Sequence, residues 1–166
     1  MILKKIIILV FITFFSFSLK ANTPKSAGKY KNWESFTVET DKGKICFAQT
    51  VPTKRAPSSI KRDSSKLFIT FRPSESIKDE VSLTSGHDYK PSTVTVGSGK
   101  KKYSFFSQKN FAWLLDDQEE QKFIKLMKKA TNVIVKARTI KGAETTDHYS
   151  MMGFTKAYNT AKKTCS

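Results

Sequence analysis

The stretch TTDHYSMMGF, residues 145–154, sets Asp147, His148, Tyr149 and Ser150 side by side in a chain with only two histidines. An acid, an imidazole and a hydroxyl are the parts of a nucleophilic site, provided the base reaches the nucleophile and a third group orients the base. The spacing opposes this. On a strand, neighbouring side chains point to opposite faces, so Asp147 and Tyr149 share one face while His148 and Ser150 share the other. Asp147 then cannot orient His148. The other histidine, His87, lies in the turn-like segment SGHDY, so a hydrolase using His148 or His87 would need a distant carboxylate. No G-x-S-x-G elbow occurs, and two histidines without carboxylates on a shared face make no zinc site. The stretch reads as a non-enzymatic strand with no catalytic residue, metal or cofactor, its buried face holding Tyr149 and Met151.

The elements around it begin with a targeting signal. Lys4 and Lys5 precede an apolar run from Ile6 to Leu19, and Lys20-Ala21 leads into a polar stretch. That pattern reads as a secretory signal over residues 1–21, cut after Ala21. The run is shorter than the ~20 residues of a membrane span, and an uncleaved anchor is the alternative. Residues 22–32 read as a flexible lead and 33–166 as one domain. Cys46 and Cys165 have no third cysteine to compete with them, and in an oxidising compartment they pair. The alternative is two buried free thiols.

Short alternating segments dominate the chain. The segments 33–40 and 44–50 form a hairpin turning at Gly43, with Phe36 and Val38 on one face. Residues 51–65, with two prolines and four serines, read as a mobile loop. Residues 66–73 and 79–85 are strands, 92–106 a hairpin turning at Gly97 and Gly99, and 132–151 a strand pair around Lys141-Gly142. About eight short strands at near-regular spacing indicate a mainly β sandwich or barrel. Two helices interrupt it. Residues 116–130 open with Asp116 and Glu119 in a capping arrangement, with Phe123, Ile124, Met127 and Ala130 on one stripe. The last segment puts Phe154, Ala157, Tyr158 and Ala161 on another, and Cys165 returns to the azimuth of Phe154. Phe111 and Trp113, in NFAWLL, read as either a buried strand or an exposed aromatic anchor.

The formal charge of +16 falls to +13 when Lys4, Lys5 and Lys20 are removed with the signal. Lysine supplies it, with arginine only at positions 55, 62, 72 and 138, and lysine lacks the planar fork that favours bidentate phosphate recognition. Nucleic acid is disfavoured by compartment, by low arginine content and by the absence of a binding motif. A solvated basic surface is the plain alternative to a binding one. The binding candidates are Lys54, Arg55, Lys61, Arg62 and Lys66 in one patch and Lys100, Lys101 and Lys102 in another, facing anionic lipid, lipopolysaccharide or an acidic partner.

Trp33, Cys46, Gln49, Pro52, Arg72, Ala112-Trp113-Leu114, Gly142, Thr146-Asp147, Tyr149-Ser150, Gly153-Phe154 and Cys165 together resemble the invasion-associated locus B family of exported proteobacterial proteins. The resemblance spans nearly all of the chain after Ala21. It implies an immunoglobulin-like β-sandwich, no established enzymatic activity and, by its name, a link to host-cell invasion. It also implies structural roles for Trp33, Trp113, Thr146, Asp147, Tyr149, Ser150, Gly153 and Phe154. In this reading Asp147 bonds backbone or caps a turn near the last helix, Gly153 turns the strand into the helix, and Phe154 fills the core. The chain departs from the family in its lysine content and in His148, where a small polar residue is commoner. The expected protein is a non-enzymatic envelope protein of the periplasm, secreted or outer-membrane associated in the alternative, that binds a protein or an anionic envelope or host surface. A periplasmic chaperone is the second possibility.

Overall fold

A computed structural model describes residues 22–166; the expected signal at 1–21 lies outside the described residues. The protein is mainly β, with eleven strands and two helices among those residues. The strands are β1 (Lys25–Tyr30), β2 (Trp33–Thr40), β3 (Gly43–Thr50), β4 (Lys54–Ala56), β5 (Lys66–Arg72) and β6 (Ile77–Thr84), followed by β7 (Val94–Ser98), β8 (Lys101–Gln108), β9 (Phe111–Trp113), β10 (Asn132–Arg138) and β11 (Glu144–Ser150). Helix α1 (Asp117–Lys129) lies between β9 and β10, and α2 (Phe154–Thr164) follows β11.

All strand pairs are antiparallel and link in the order β1-β2-β3-β5-β6-β9-β8-β7-β10-β11-β4. Strand β8 is the hinge of this array. Its residues Lys101–Phe105 pair with β7, while Phe106–Gln108 pair with β9. The sheet thereby divides into two halves over one core, where Leu67, Ile69, Val81 and Leu83 of one half join Val94, Val96, Val133 and Val135 of the other. The alternating pattern of β5, with Leu67, Ile69 and Phe71 buried and Phe68 half-buried, is what a strand with one core-facing side requires.

The turns follow from backbone chemistry. Gly43 and Gly99 take positive φ angles of 115° and 57° at the β2–β3 and β7–β8 turns, a region open to glycine at no steric cost. Helix α1 starts where Asp116 Oδ1 accepts the Glu119 N–H at 2.8 Å, which satisfies one of the free donors of its first turn. Helix α2 buries Phe154, Ala157, Tyr158 and Ala161 against the β1–β3 side. Just past its end, Cys165 is bonded to Cys46 of β3.

Two expectations are corrected. The lead 22–32 is not a free tail, because Lys25–Tyr30 pairs with β2 as an edge strand. The loop 51–65 contains β4, which pairs with β11 at Lys54–Ala56. Both segments have too little apolar alternation to announce a strand, since an edge strand needs a partner's hydrogen bonds more than a buried face. Phe36 and Val38 share a face of β2 as expected, and its core side is held by Trp33 and Ser35.

Candidate functional site

Strand β11 presents its residues as alternation requires: Thr145, Asp147 and Tyr149 point inward, Thr146 and His148 outward. Asp147 is 1% exposed, and Arg62, 2% exposed, meets it with both ends of its guanidinium: Nη2 to Oδ1 at 2.6 Å and Nη1 to Oδ2 at 3.0 Å. The guanidinium also donates to the Ser85 and Ala56 carbonyls at 3.2 and 3.5 Å. Such a fork on a carboxylate is the strong form of the ion pair. Its effect is to pin the 57–65 loop across the sheet. The expectation that Asp147 bonds backbone or caps a turn is thus corrected: its carboxylate is taken by a residue 85 positions away.

His87 Nε2 lies 2.9 Å from Thr145 Oγ1 and its Nδ1 lies 3.0 Å from the Asp88 carbonyl. Burial holds the imidazole pKa below its ordinary value. Beside the pair, the Tyr89 and Tyr149 hydroxyls are buried without a hydrogen-bond partner among the protein groups, and desolvation pushes both well above the ordinary tyrosine range. Among the described residues, no three His, Cys, Asp or Glu side chains stand where they could hold a metal ion. No helix there is long and apolar enough to cross a membrane.

The remaining members of the stretch bear on packing. The Trp33 indole N–H donates to the Ser150 carbonyl at 2.9 Å, tying the start of β2 to the end of β11. Gly153 takes φ 94° at the start of α2, and a Cβ there would fall 1.8 Å from the Tyr30 carbonyl oxygen. Phe154 is fully buried against Trp33, ring centroids 4.8 Å apart.

Three lysines share the outer face of the β4-β11-β10-β7-β8 half. Register sets Lys54 opposite His148, His148 opposite Ile134, Ile134 opposite Gly97, and Gly97 opposite Lys102. The neighbouring row reads Ala56, Thr146, Lys136, Thr95 and Ser104. Paired residues share a side of the sheet, so one member of each basic patch read from the sequence, Lys54 and Lys102, lies on the same face. It spans roughly 19 Å at ~4.8 Å per strand. Lys54 and Lys102 occupy its two edges and Lys136, unmarked in the sequence, its centre. A cleft lined by Thr95, Gly97, Lys102, Ile134 and Lys136 opens on it, because Gly97 leaves no side chain above the β7 backbone.

Other candidates fall elsewhere. Arg62 is paired with Asp147, and Arg55, in register with Asp147 on the inward side of β4, brings its Nε to 4.0 Å from that carboxylate and donates through Nη2 to the Asp63 carbonyl at 2.6 Å. Lys61 is exposed on the loop, Lys66 sits on β5 of the other half, and Lys101 lies on the opposite side of β8 from Lys102. Lys100 is at the β7–β8 tip. Phe111 and Trp113 form a short strand whose Ala112 is buried, with Phe111 37% exposed.

The helices are fastened to β6 by two carboxylates that the sequence did not mark. Asp79 accepts from Tyr158 of α2 at 2.6 Å and from Gln121 of α1 at 2.8 Å. Glu120 accepts the Val81 N–H at 2.8 Å. Desolvation, reinforced by Asp117, Glu80 and Asp79, raises its pKa to about 7.

The molecule defined so far is a disulfide-closed, mainly antiparallel β protein with a buried ion-pair lock and a basic outer sheet face. The chain matches no family model, no curated protein and no solved structure.

Proposed function

We propose that the chain is a non-enzymatic envelope protein of the immunoglobulin-like sandwich class, exported to the periplasm by residues 1–21, that docks on an anionic envelope surface. Lipopolysaccharide and anionic lipid are the partners of matching chemistry. The observation that carries the reading is the meeting of Lys54, Lys102 and Lys136 on one five-stranded face. On this face Glu144 is paired with Arg138 at 2.6 Å. A one-signed field of this kind attracts and orients polyanions.

The disulfide supports an oxidising compartment. A non-enzymatic role is supported by Asp147, whose burial and engagement by Arg62 leave it no route to a substrate. Strand-donation chaperoning finds little support at the sheet edges, since β4 is three residues long and β1 carries a bulge and two lysines, the usual guards of an edge.

The test is co-sedimentation with anionic vesicles and with lipopolysaccharide at low and high salt. Binding should fall steeply as the Debye length shrinks from ~10 to ~3 Å, and a Lys54→Glu, Lys102→Glu, Lys136→Glu variant should not bind. Equal binding by the variant, or none by the wild type, contradicts the reading.

A further inference from the structure

Seven buried side-chain nitrogen and oxygen atoms among the described residues have no hydrogen-bond partner in the protein, and five of them belong to one place: Arg55 Nε, Ser65 Oγ, Ser85 Oγ and the hydroxyls of Tyr89 and Tyr149. The fold brings them there from separate segments. Arg55 of β4 stands in register with Asp147, its Nε 4.0 Å from Oδ1. Tyr149 follows Asp147 on the same inward side of β11. Ser65 precedes the Lys66–Thr84 pair and Ser85 follows it, so the two serines continue that ladder, and the Asp63 N–H closes it by donating to the Gly86 carbonyl at 2.9 Å. The Ser85 carbonyl accepts from the Arg62 guanidinium at 3.2 Å. Tyr89 completes the group. Desolvation raises its hydroxyl, and the neighbouring Ser85 side chain and backbone oppose the rise. For Tyr149 desolvation is again the main cause, with Asp147 and Tyr89 next.

Bulk solvent does not reach these groups. Ser85 and Tyr149 are 0% exposed, Ser65 2% and Tyr89 4%. A polar atom buried without a partner loses the hydrogen bonds it made to water and regains none, which is why native interiors hold few of them.

The chemistry of the cluster selects what completes it. Every one of the five atoms can donate, and the four hydroxyls can also accept. An anion would lie against the Asp147 carboxylate, and a cation against Arg55 and Arg62. An apolar group would satisfy none of the five. Water is neutral, donates and accepts at once, and is small enough to lie between close-packed side chains. Internal waters make about three hydrogen bonds each, to groups of this unpaired kind. The Asp147 oxygens, each accepting one bond from Arg62, have lone pairs left to share. We propose that an internal hydration site lies beside the Asp147–Arg62 pair: ordered water, held by the hydroxyls of Tyr89, Tyr149 and Ser85, completes the lock between the 57–65 loop and the sheet. The inference does not rest on the anionic docking, which uses the outward side of β11.

The test joins high-resolution crystallography of the chain with melting of two variants. Ordered density is expected within hydrogen-bond distance of at least two of the three hydroxyls. Tyr89→Phe and Tyr149→Phe each remove one hydroxyl and add no bulk, so the fold is kept. Where water holds the hydroxyl, its removal should lower the melting temperature by a few degrees. A hydroxyl bound to nothing would behave in the opposite way, since its removal relieves a desolvation penalty. Phe variants that melt at or above wild type, or hydroxyls bonded to protein atoms with no density between them, overturn the proposal.

Discussion

Asp147 carries its charge into a site with almost no exposure, and a guanidinium from the 57–65 loop is what makes this tolerable. Removing one member of such a pair leaves the other charge buried and alone, at a cost of about 3–5 kcal/mol, whereas replacing both with apolar groups is often neutral. Asp147→Ala should therefore unfold at markedly lower urea concentration. Arg62→Met combined with Asp147→Leu should recover most of the loss, and a double variant no more stable than Asp147→Ala would exclude the pair as the source. Glu120 gives a pH signature instead. Its folded pKa of about 7 lies above the ordinary 4.5, so between these values the folded state holds a proton that the unfolded state has released. Its contribution is fully present below pH 4.5 and is lost as the pH rises through about 7. Glu120→Gln keeps an acceptor for the Val81 N–H. The variant should gain in melting temperature over wild type on going from pH 5 to pH 8, and a difference independent of pH would sink the assignment. Neither partner of Asp147 nor the burial of Glu120 was legible in the sequence. Arg62 looks like any cation in a serine-rich loop, and Glu120 like any acid in a helix's first turn.

At the scale of elements, periodicity carried far. The β2–β3 hairpin, β5, the β7–β8 hairpin, both helices and the buried stripe of α2 lie where alternation, glycine turns and the Asp116 cap place them. The two edge strands escaped because β1 and β4 bury little of their own and exist by pairing. The outward set of β2 and β3 escaped for another reason. The outward side of these strands, with Phe36, Val38, Ile45 and Phe47, is more apolar than the core side of Ser35, Thr37, Cys46 and Ala48, so alternation cannot say which is the core. The segment β11–Gly153–α2 is closed by two constraints at opposite ends. Gly153→Ala would drive a Cβ into the Tyr30 carbonyl at a φ that alanine avoids. It should lower the melting temperature and loosen β1, seen as faster amide exchange at Lys25–Tyr30. The disulfide, whose cysteines stand 119 positions apart, contributes on the order of 2–5 kcal/mol by restricting the unfolded chain. Cys165→Ser should cost that much in urea melts, with amide exchange rising first in α2. Unchanged stability would mean that the helix is held by its apolar stripe alone.

For the whole molecule, the central feature is one continuous sheet whose β4-β11-β10-β7-β8 half carries three lysines on its outer face. Composition showed the charge but not its address. Lys54 and Lys102 are 48 positions apart in the chain and become neighbours of Lys136 only through the β4-β11-β10-β7-β8 register. The measurement that tests this most directly is in-cell photocrosslinking, with a photoreactive residue at Thr95 or Thr146 between the lysines and, as control, at Gln118 on the exposed start of α1. The account predicts adducts to an anionic envelope component from Thr95 and Thr146, lost when Lys54, Lys102 and Lys136 are changed to Glu, and none from Gln118. Adducts that arise from Gln118 while the basic face stays bare would contradict it.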